Sequence, residues 1–423
     1  MTVTVSGRSL QGQTPIISSK SAVHRLLICA ALCDQPTVIE GVTYSKDIEA
    51  TIACLRAALA DVKCDGDRVT VSPRKNRTPN TLLDCGESGS TLRFLLPIMA
   101  ALGGAWFTGR GRLAQRPLTP IYPVLEQHGC RLSAEGTFPV AVEGHLCGDT
   151  FVIDGSLSSQ FVSGLLMAAP LMGERCRIRV TGEMASYPYI AMTVKALSQF
   201  GVRVTKNGST FTVSGRYTTA GTVRAEGDWS NAAFWLVGAV VSDSEAFRLT
   251  GLCGRSRQGD KKIVALLRDA GFTVTRRRGA LCVGASKQPQ ALRIDAEDIP
   301  DLVPILAVLA TVLPGETEIY NAERLIHKES NRLESAHAML TALGGKAVMT
   351  NDGLRITGGR LTGGTVDGYN DHRIVMSAAI AALICEEPVT ILGAEAVTKS
   401  YPTFFEEIEK RGMRVCHLSG DET

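Results

Sequence analysis

The chain has 423 residues, 44% of them hydrophobic and 21% charged, a globular balance that excludes a disordered protein. Lys and Arg (45) exceed Asp and Glu (42) by only three, which argues against a nonspecific nucleic-acid coat. No apolar run reaches the roughly 18 residues of a membrane span, and residues 1–10 lack the basic-then-apolar layout of a secretory signal.

At roughly 100–200 residues per domain, the length predicts two to four domains. One pattern recurs along the chain: a short cap of small or polar residues, then about a dozen mostly apolar ones. Ser19-Lys20-Ser21 precedes 22–32, Ser88-Gly89-Ser90 precedes 91–102, and Ser158-Ser159-Gln160 precedes 161–172. Asp228-Trp229-Ser230 precedes 231–241, Ile299-Pro300-Asp301 precedes 302–313, and Asn370-Asp371-His372 precedes 373–384. The caps start at 19, 88, 158, 228, 299 and 370, in steps of 69, 70, 70, 71 and 71, and 423/6 is 70.5. Such a period marks repeated structural units.

A second, more amphipathic helix keeps the same beat and stops at a glycine: 123–129, 190–201, 261–271, 333–344 and 404–412. Its first copy, 47–60, ends without one. Runs rich in β-branched residues lie between the helices, as at 202–205, 210–213, 272–276 and 389–392. Each unit reads as β-α-β-α-β-β. Six units exceed one core, so the economical arrangement is two domains of three units.

The capped helices are apolar nearly all round and are expected to be buried. Their N-termini offer unpaired N–H groups and partial positive charge, which suits phosphate or carboxylate. Cations at these positions break the dipole rule: Lys20, Arg25, Arg93 and Arg373 all fall near helix starts. A rule broken repeatedly at equivalent places in the period points to function. Gly86-Glu87-Ser88-Gly89-Ser90-Thr91 lacks the Gly-Lys-Ser/Thr ending of a nucleotide P-loop, so ATP binding is unsupported. Arg116, next to Pro117 in a loop with Arg110 and Arg112, is a candidate anion clamp. Asn331 with Glu334 makes a helix cap, which leaves Lys328, Glu329 and Arg332 without a structural task. The twelve cysteines form no CxxC pair and no zinc-spaced cluster. Buried free thiols in a reducing cytoplasm, with no metal, are expected.

Taken together, the chain resembles the 5-enolpyruvylshikimate-3-phosphate synthase family, also called 3-phosphoshikimate 1-carboxyvinyltransferase. The resemblance is carried by Ser19-Lys20-Ser21 with Arg25, residues 87–93, Arg116-Pro117, Ser158-Ser159-Gln160, Ser186-Tyr187-Pro188-Tyr189, Pro300-Asp301, Lys328-Glu329-Ser330-Asn331-Arg332, Asp371-His372-Arg373 and Lys399-Ser400-Tyr401-Pro402. It implies an α/β fold of two similar domains, each of three βαβαββ units with buried parallel helices (an inside-out α/β barrel), and substrates bound in the cleft between them. The expected domains are 1–18 with 227–423, and an inserted 19–226.

The implied reaction moves the enolpyruvyl group of phosphoenolpyruvate to the 5-hydroxyl of shikimate 3-phosphate and releases phosphate, in aromatic amino acid biosynthesis. By motif position, Lys20, Gly89, Arg116, Gln160, Arg332, Arg373 and Lys399 are expected to bind phosphoenolpyruvate. Lys20, Ser21, Arg25, Ser158, Ser159, Gln160, Ser186, Asp301 and Lys328 are expected to hold shikimate 3-phosphate. Asp301 is the candidate base for the hydroxyl, Glu329 the acid and base at the methylene carbon, and Lys20 an assistant in proton transfer. No cofactor, metal, nucleic acid or membrane is implied, and the resemblance points to a cytoplasmic monomer. The chain departs from many members at Asn331, where they carry Asp, and from some at Glu87-Ser88, where they carry Asn-Ala. The sister enzyme acting on UDP-N-acetylglucosamine is disfavoured, because it uses Lys-Asn where this chain has Lys20-Ser21 and a loop Cys that is absent between Cys85 and Cys130. A nucleic-acid clamp built from repeated αβ units is disfavoured by the near-neutral charge.

Overall fold

A computed structural model describes residues 1–75, 80–173, 175–242, 244, 247–284 and 288–418. It divides into two compact units: Met1–Ile17 with Gly227–Thr423, and Ser18–Glu226. Ser18 belongs to the second unit, where its amide and hydroxyl exchange hydrogen bonds with the hydroxyl and amide of Thr43 at 3.2 and 2.8 Å.

Residues 18–226 contain α1 (Lys20–Ala31), α2 (Lys46–Ala58), α3 (Gly89–Ala101), α4 (Tyr122–Gln127), α5 (Ser159–Met172) and α6 (Tyr187–Gln199). The expected caps operate: Ser19, Ser88 and Ser158 accept from the amides of Ala22, Thr91 and Gln160. Each of the three sheets has four strands in the order first, second, fourth, third, and its first pair is parallel while the others are antiparallel. The first sheet takes its leading strand, Thr222–Arg224, from the far end of the unit. In Arg175–Thr181 the residues Cys176, Ile178 and Val180 are buried and their neighbours exposed, the period-two pattern of a sheet wet on one face. The buried faces cover α1, α3 and α5, which are buried along most of their length.

The other unit contains α7 (Trp229–Val241), α8 (Ile263–Asp269), α9 (Val303–Thr311), α10 (Arg332–Ala342), α11 (His372–Ala381) and α12 (Phe404–Lys410). Here α7, α9 and α11 pack on one another, and the N-terminal residues complete two different sheets. Gln13–Pro15 pairs with Arg248–Thr250, and Thr2–Ser6 lies between Val389–Leu392 and Arg414–Leu418. The predicted helix at 302–313 starts later than expected: Pro300–Leu302 forms a 3-10 turn, and α9 begins at Val303 with Pro304 in its first turn. Proline lacks the N–H that a cap would satisfy, so Asp301 is released from capping. Gly201 (φ +78°) and Gly344 (φ +82°) end α6 and α10 in the left-handed region, as the helix-stop reading requires. All twelve cysteines are free. Seven are buried, but Cys64, Cys147, Cys253 and Cys416 are exposed and Cys282 half-buried, so the expectation of buried thiols holds only in part.

The α3–α5 contact is the tightest in the inserted unit. A Cβ on Gly164 would stand 2.5 Å from the Arg93 carbonyl and 2.9 Å from Pro97. Gly164→Val is expected to destabilise the protein by about 1–3 kcal/mol or more, because backbone cannot yield as a side chain does. Urea unfolding measures it, and an unchanged midpoint would refute the packing argument.

Candidate active site

In residues 18–226 a closed circuit of polar side chains ties the starts of the buried helices together. His24 Nδ1 lies 2.7 Å from the Thr51 hydroxyl, which lies 2.7 Å from the Thr91 hydroxyl. Thr91 donates to the Ser88 cap at 2.7 Å, so α1, α2 and α3 are linked. Ser90 on α3 accepts from the Gln160 amide on α5 at 2.9 Å. Ser163, a turn further along α5, accepts from Thr193 on α6, and Thr193 accepts from Arg25 Nε at 2.7 Å, which returns to α1.

The predicted anion-binding residues hang on this circuit. Lys20 Nζ bonds Asp47 at 2.7 Å in a mostly buried pair. Arg25, 2% exposed, also donates to the carbonyls of Ser21 and Tyr189. Burial lowers its guanidinium to about 10, with Tyr189 and Cys29 opposing. Arg93 fixes the Gln160 carbonyl oxygen at 2.9 Å, donates to the Pro117 carbonyl, and lies over the Phe161 ring. Arg116 is buried against Gly89: a Cβ there would meet its guanidinium at 2.5–2.9 Å. Arg110 and Arg112 do not join it. Both are exposed, and Arg110 pairs with Asp84 at the surface. The Ser158 hydroxyl is spent on its cap, while the hydroxyls of Ser21 and Ser159 take no protein partner among the described residues. Ser186 opens α6 in the left-handed region at φ +52°, a conformation that costs a non-glycine residue about 1 kcal/mol or more.

In the other unit the centre is Arg332, 1% exposed and shared by three carboxylates. Nη1 reaches Asp301 at 2.6 Å, Nη2 reaches Glu329 at 2.7 Å, and Nε reaches Asp371 at 2.8 Å. Burial disfavours its charge, but Asp371, Glu329 and Asp301 overcome this and hold the guanidinium well above its ordinary value. Lys328 and Arg373 also approach Asp301, at 3.2 and 3.6 Å. Burial alone would raise the Asp301 carboxyl. Lys328, Arg332 and Arg373 override it and keep the group well below the usual carboxylate range. Arg373 is 3% exposed and lies over the Phe234 ring, with Nε and Nη1 buried and without a hydrogen-bond partner among the described residues. Lys399, 5% exposed, donates to the Asn370 carbonyl just before α11 at 2.7 Å. The structure thus gathers Asp301, Lys328, Glu329, Arg332 and Arg373 into one cluster, with Lys399 at the entrance to α11.

Residues 5–408 match the family model for EPSP synthase (3-phosphoshikimate 1-carboxyvinyltransferase). The chain belongs to this family. It is 38% identical over 423 residues to the 3-phosphoshikimate 1-carboxyvinyltransferase of Clostridium kluyveri, covering 98% of both chains. It is 38% identical over 413 residues to the protein of the same name from Clostridium acetobutylicum, covering 95% of both. The fold is that of the EPSP synthase of Acinetobacter baumannii, with a TM-score of 0.81 at 24% identity over 98% of this chain and all of the other.

Two carboxylates, one in each unit, pair with candidate residues and carry no role that the sequence shows. Asp371 was legible only as part of a motif, yet it caps α11, is fully buried, and anchors Arg332. Asp47 sits in the first turn of α2, where an acid is ordinary, and nothing in the sequence shows that it faces Lys20.

Gly89→Ala is expected to push the Arg116 guanidinium aside and to raise the KM for an anionic substrate several-fold, with a smaller effect on kcat. Steady-state kinetics decides, and an unchanged KM would show that Arg116 gives way without consequence. Burial, then Lys20 and Arg25, hold the His24 imidazole well below 6.5, so the folded chain binds fewer protons than the unfolded one as the pH falls below that value. Stability contributed by neutral His24 is therefore lost on acidification, by about 1 kcal/mol between pH 7.5 and 5.5. His24→Asn should flatten that loss in urea titrations at the two pH values, and an equal slope in the variant would refute it.

Proposed function

We propose that this EPSP synthase family member transfers the enolpyruvyl group of phosphoenolpyruvate to the 5-hydroxyl of shikimate 3-phosphate and releases phosphate. The observation that carries the reading is Arg373: a buried guanidinium with two nitrogens that donate to no group among the described residues is favoured by an added acceptor, and an anion supplies one. Arg332, Arg373 and Lys399 take the anionic groups of phosphoenolpyruvate, as do Lys20, Gly89, Arg116 and Gln160. Lys20, Ser21, Arg25, Ser158, Ser159, Gln160, Ser186, Asp301 and Lys328 hold shikimate 3-phosphate.

The chemistry follows from the two carboxylates beside Arg332. Glu329, once it has taken up a proton against its pairing with Arg332, delivers that proton to the methylene carbon of phosphoenolpyruvate, and positive charge develops at the adjacent carbon. The 5-hydroxyl oxygen forms its bond to that carbon while Asp301 takes the hydroxyl proton, giving a tetrahedral adduct. Glu329 then removes a proton from the methyl carbon, the double bond re-forms, and the carbon–oxygen bond to phosphate breaks, the departing phosphate taking the proton that Asp301 had accepted. Lys20 assists the transfers. In the free protein the surrounding cations make Asp301 a weak base. Substrate phosphate and carboxylate groups compete for Lys328 and Arg373, and that competition raises its basicity as the site fills. Twelve free thiols suit a reducing compartment, so the enzyme is assigned to the cytoplasm.

Asp301→Asn and Glu329→Gln are each expected to lower kcat by about 10²–10⁴-fold with little change in thermal unfolding. Phosphate release with both substrates measures it. Turnover like the wild type in either variant would remove that residue from the mechanism.

A further inference from the structure

Asp260 is a buried acid that the reaction above does not use. It lies in the 3-10 turn Gly259–Lys262, is 1% exposed, and hydrogen-bonds the Ser230 hydroxyl at the start of α7. The loop carrying it is pinned to the same helix end, because Gln258 accepts from the Trp229 amide and donates to the Gly227 carbonyl, each at 2.9 Å. One helical turn beyond Ser230 is Phe234, so the two share a face of α7. Phe234 is the ring over which the Arg373 guanidinium lies, 5.7 Å from its centre. The turn therefore brings a carboxyl to the wall against which Arg373 rests, while Ser230 engages the carboxyl and Arg373 Nε and Nη1 stay without hydrogen-bond partners.

We propose that Asp260 is a positioning residue for Arg373: tethered by Ser230, it supplies a reversible counter-charge that sets how strongly the guanidinium holds the anionic substrate. The proposal rests on the assignment of Arg373 to phosphoenolpyruvate. The charged groups acting on Asp260 are Asp301 from the turn before α9, Arg373 from α11 and Asp228 from the α7 cap. On its own turn, Lys261 and Lys262 are drawn off to the carbonyls of Gly254 and Asp295. Burial, followed by repulsion from Asp301, raises the carboxyl to about 7 against the pull of Ser230 and Arg373. Below that pH the neutral acid leaves the full charge of Arg373 to the substrate. Above it the ionised carboxylate competes with the substrate for the same cation. A bound anion, in turn, favours the protonated acid, as linkage requires.

The test is the pH dependence of the KM for phosphoenolpyruvate between pH 6 and 8.5, at saturating shikimate 3-phosphate, in the full-length protein. The wild type is expected to show a rise of about threefold to tenfold across this range beyond that due to substrate ionisation, the size of an interaction worth up to one pKa unit. Asp260→Asn should flatten the rise while the pH profile of kcat keeps its shape. Ser230→Ala removes a donor that favours the carboxylate, so its KM inflection should move to higher pH. This variant keeps the proposal falsifiable if Asp260→Asn does not fold. A wild-type KM profile in Asp260→Asn, a fall in kcat alone, or an unmoved inflection in Ser230→Ala would each overturn it. Arg373→Ala separates the two readings: an unchanged KM there refutes the assignment of Arg373, whereas a raised KM with a silent Asp260→Asn refutes only the role of Asp260.

Discussion

A helix that is apolar on every side can place polar groups only at its ends, and its ends are also where unpaired N–H groups collect. That constraint organises each unit. In residues 18–226 the inner helices α1, α3 and α5 have no polar face to turn outward, and the circuit from His24 through Thr51, Thr91, Ser90, Gln160, Ser163, Thr193 and Arg25 joins their first turns. The circuit satisfies buried donors that would otherwise cost free energy, and it fixes one helix start against the next. Lys20, Gly89 and Ser158 are then placed at helix starts by the scaffold rather than by loops that wander.

The other unit solves the same problem with charge. Arg332 is the hub: three carboxylates converge on one buried guanidinium, and two of them, Asp301 and Glu329, are also the candidate proton carriers. A buried ion network of this kind is not a cheap source of stability, because each charge has been stripped of water. Its value is geometric, since a planar guanidinium dictates where each carboxylate oxygen lies. Arg373 approaches Asp301 only at 3.6 Å, and its Nε and Nη1 take no hydrogen-bond partner among the described residues, an arrangement favourable beside an anion.

The contrast between Asp301 and Asp260 shows how position rather than residue type sets acidity. Both aspartates stand in short 3-10 turns within the same unit, Asp260 buried and Asp301 with 19% of its side chain exposed. Asp301 has three cations within 4 Å and stays ionised, whereas burial and a like-charged neighbour push Asp260 towards neutrality against the pull of Ser230 and Arg373. Two carboxylates with separated acidities in one unit give the site groups that respond to different pH ranges.

The repeat was legible without coordinates. A period near 70 residues, serine or aspartate before an apolar dozen, and glycine after the amphipathic helix are local signals, because capping and left-handed helix stops are decided within a few residues of chain. The candidate cations were legible for the same reason, standing where a helix dipole disfavours them. Pairing between distant residues was not legible. Nothing local tells that Asp47 meets Lys20, that Asp371 anchors Arg332, that Arg93 meets Gln160, or that Thr2–Ser6 and Gln13–Pro15 enter different sheets. These depend on which faces come together when apolar helices are covered by sheets, and the acidity of each carboxylate depends in turn on that company. The sequence alone determined the helix starts and the charges they carry; folding decided which charge faces which, because electrostatic and hydrogen-bond energies are set by distances between residues far apart in the chain.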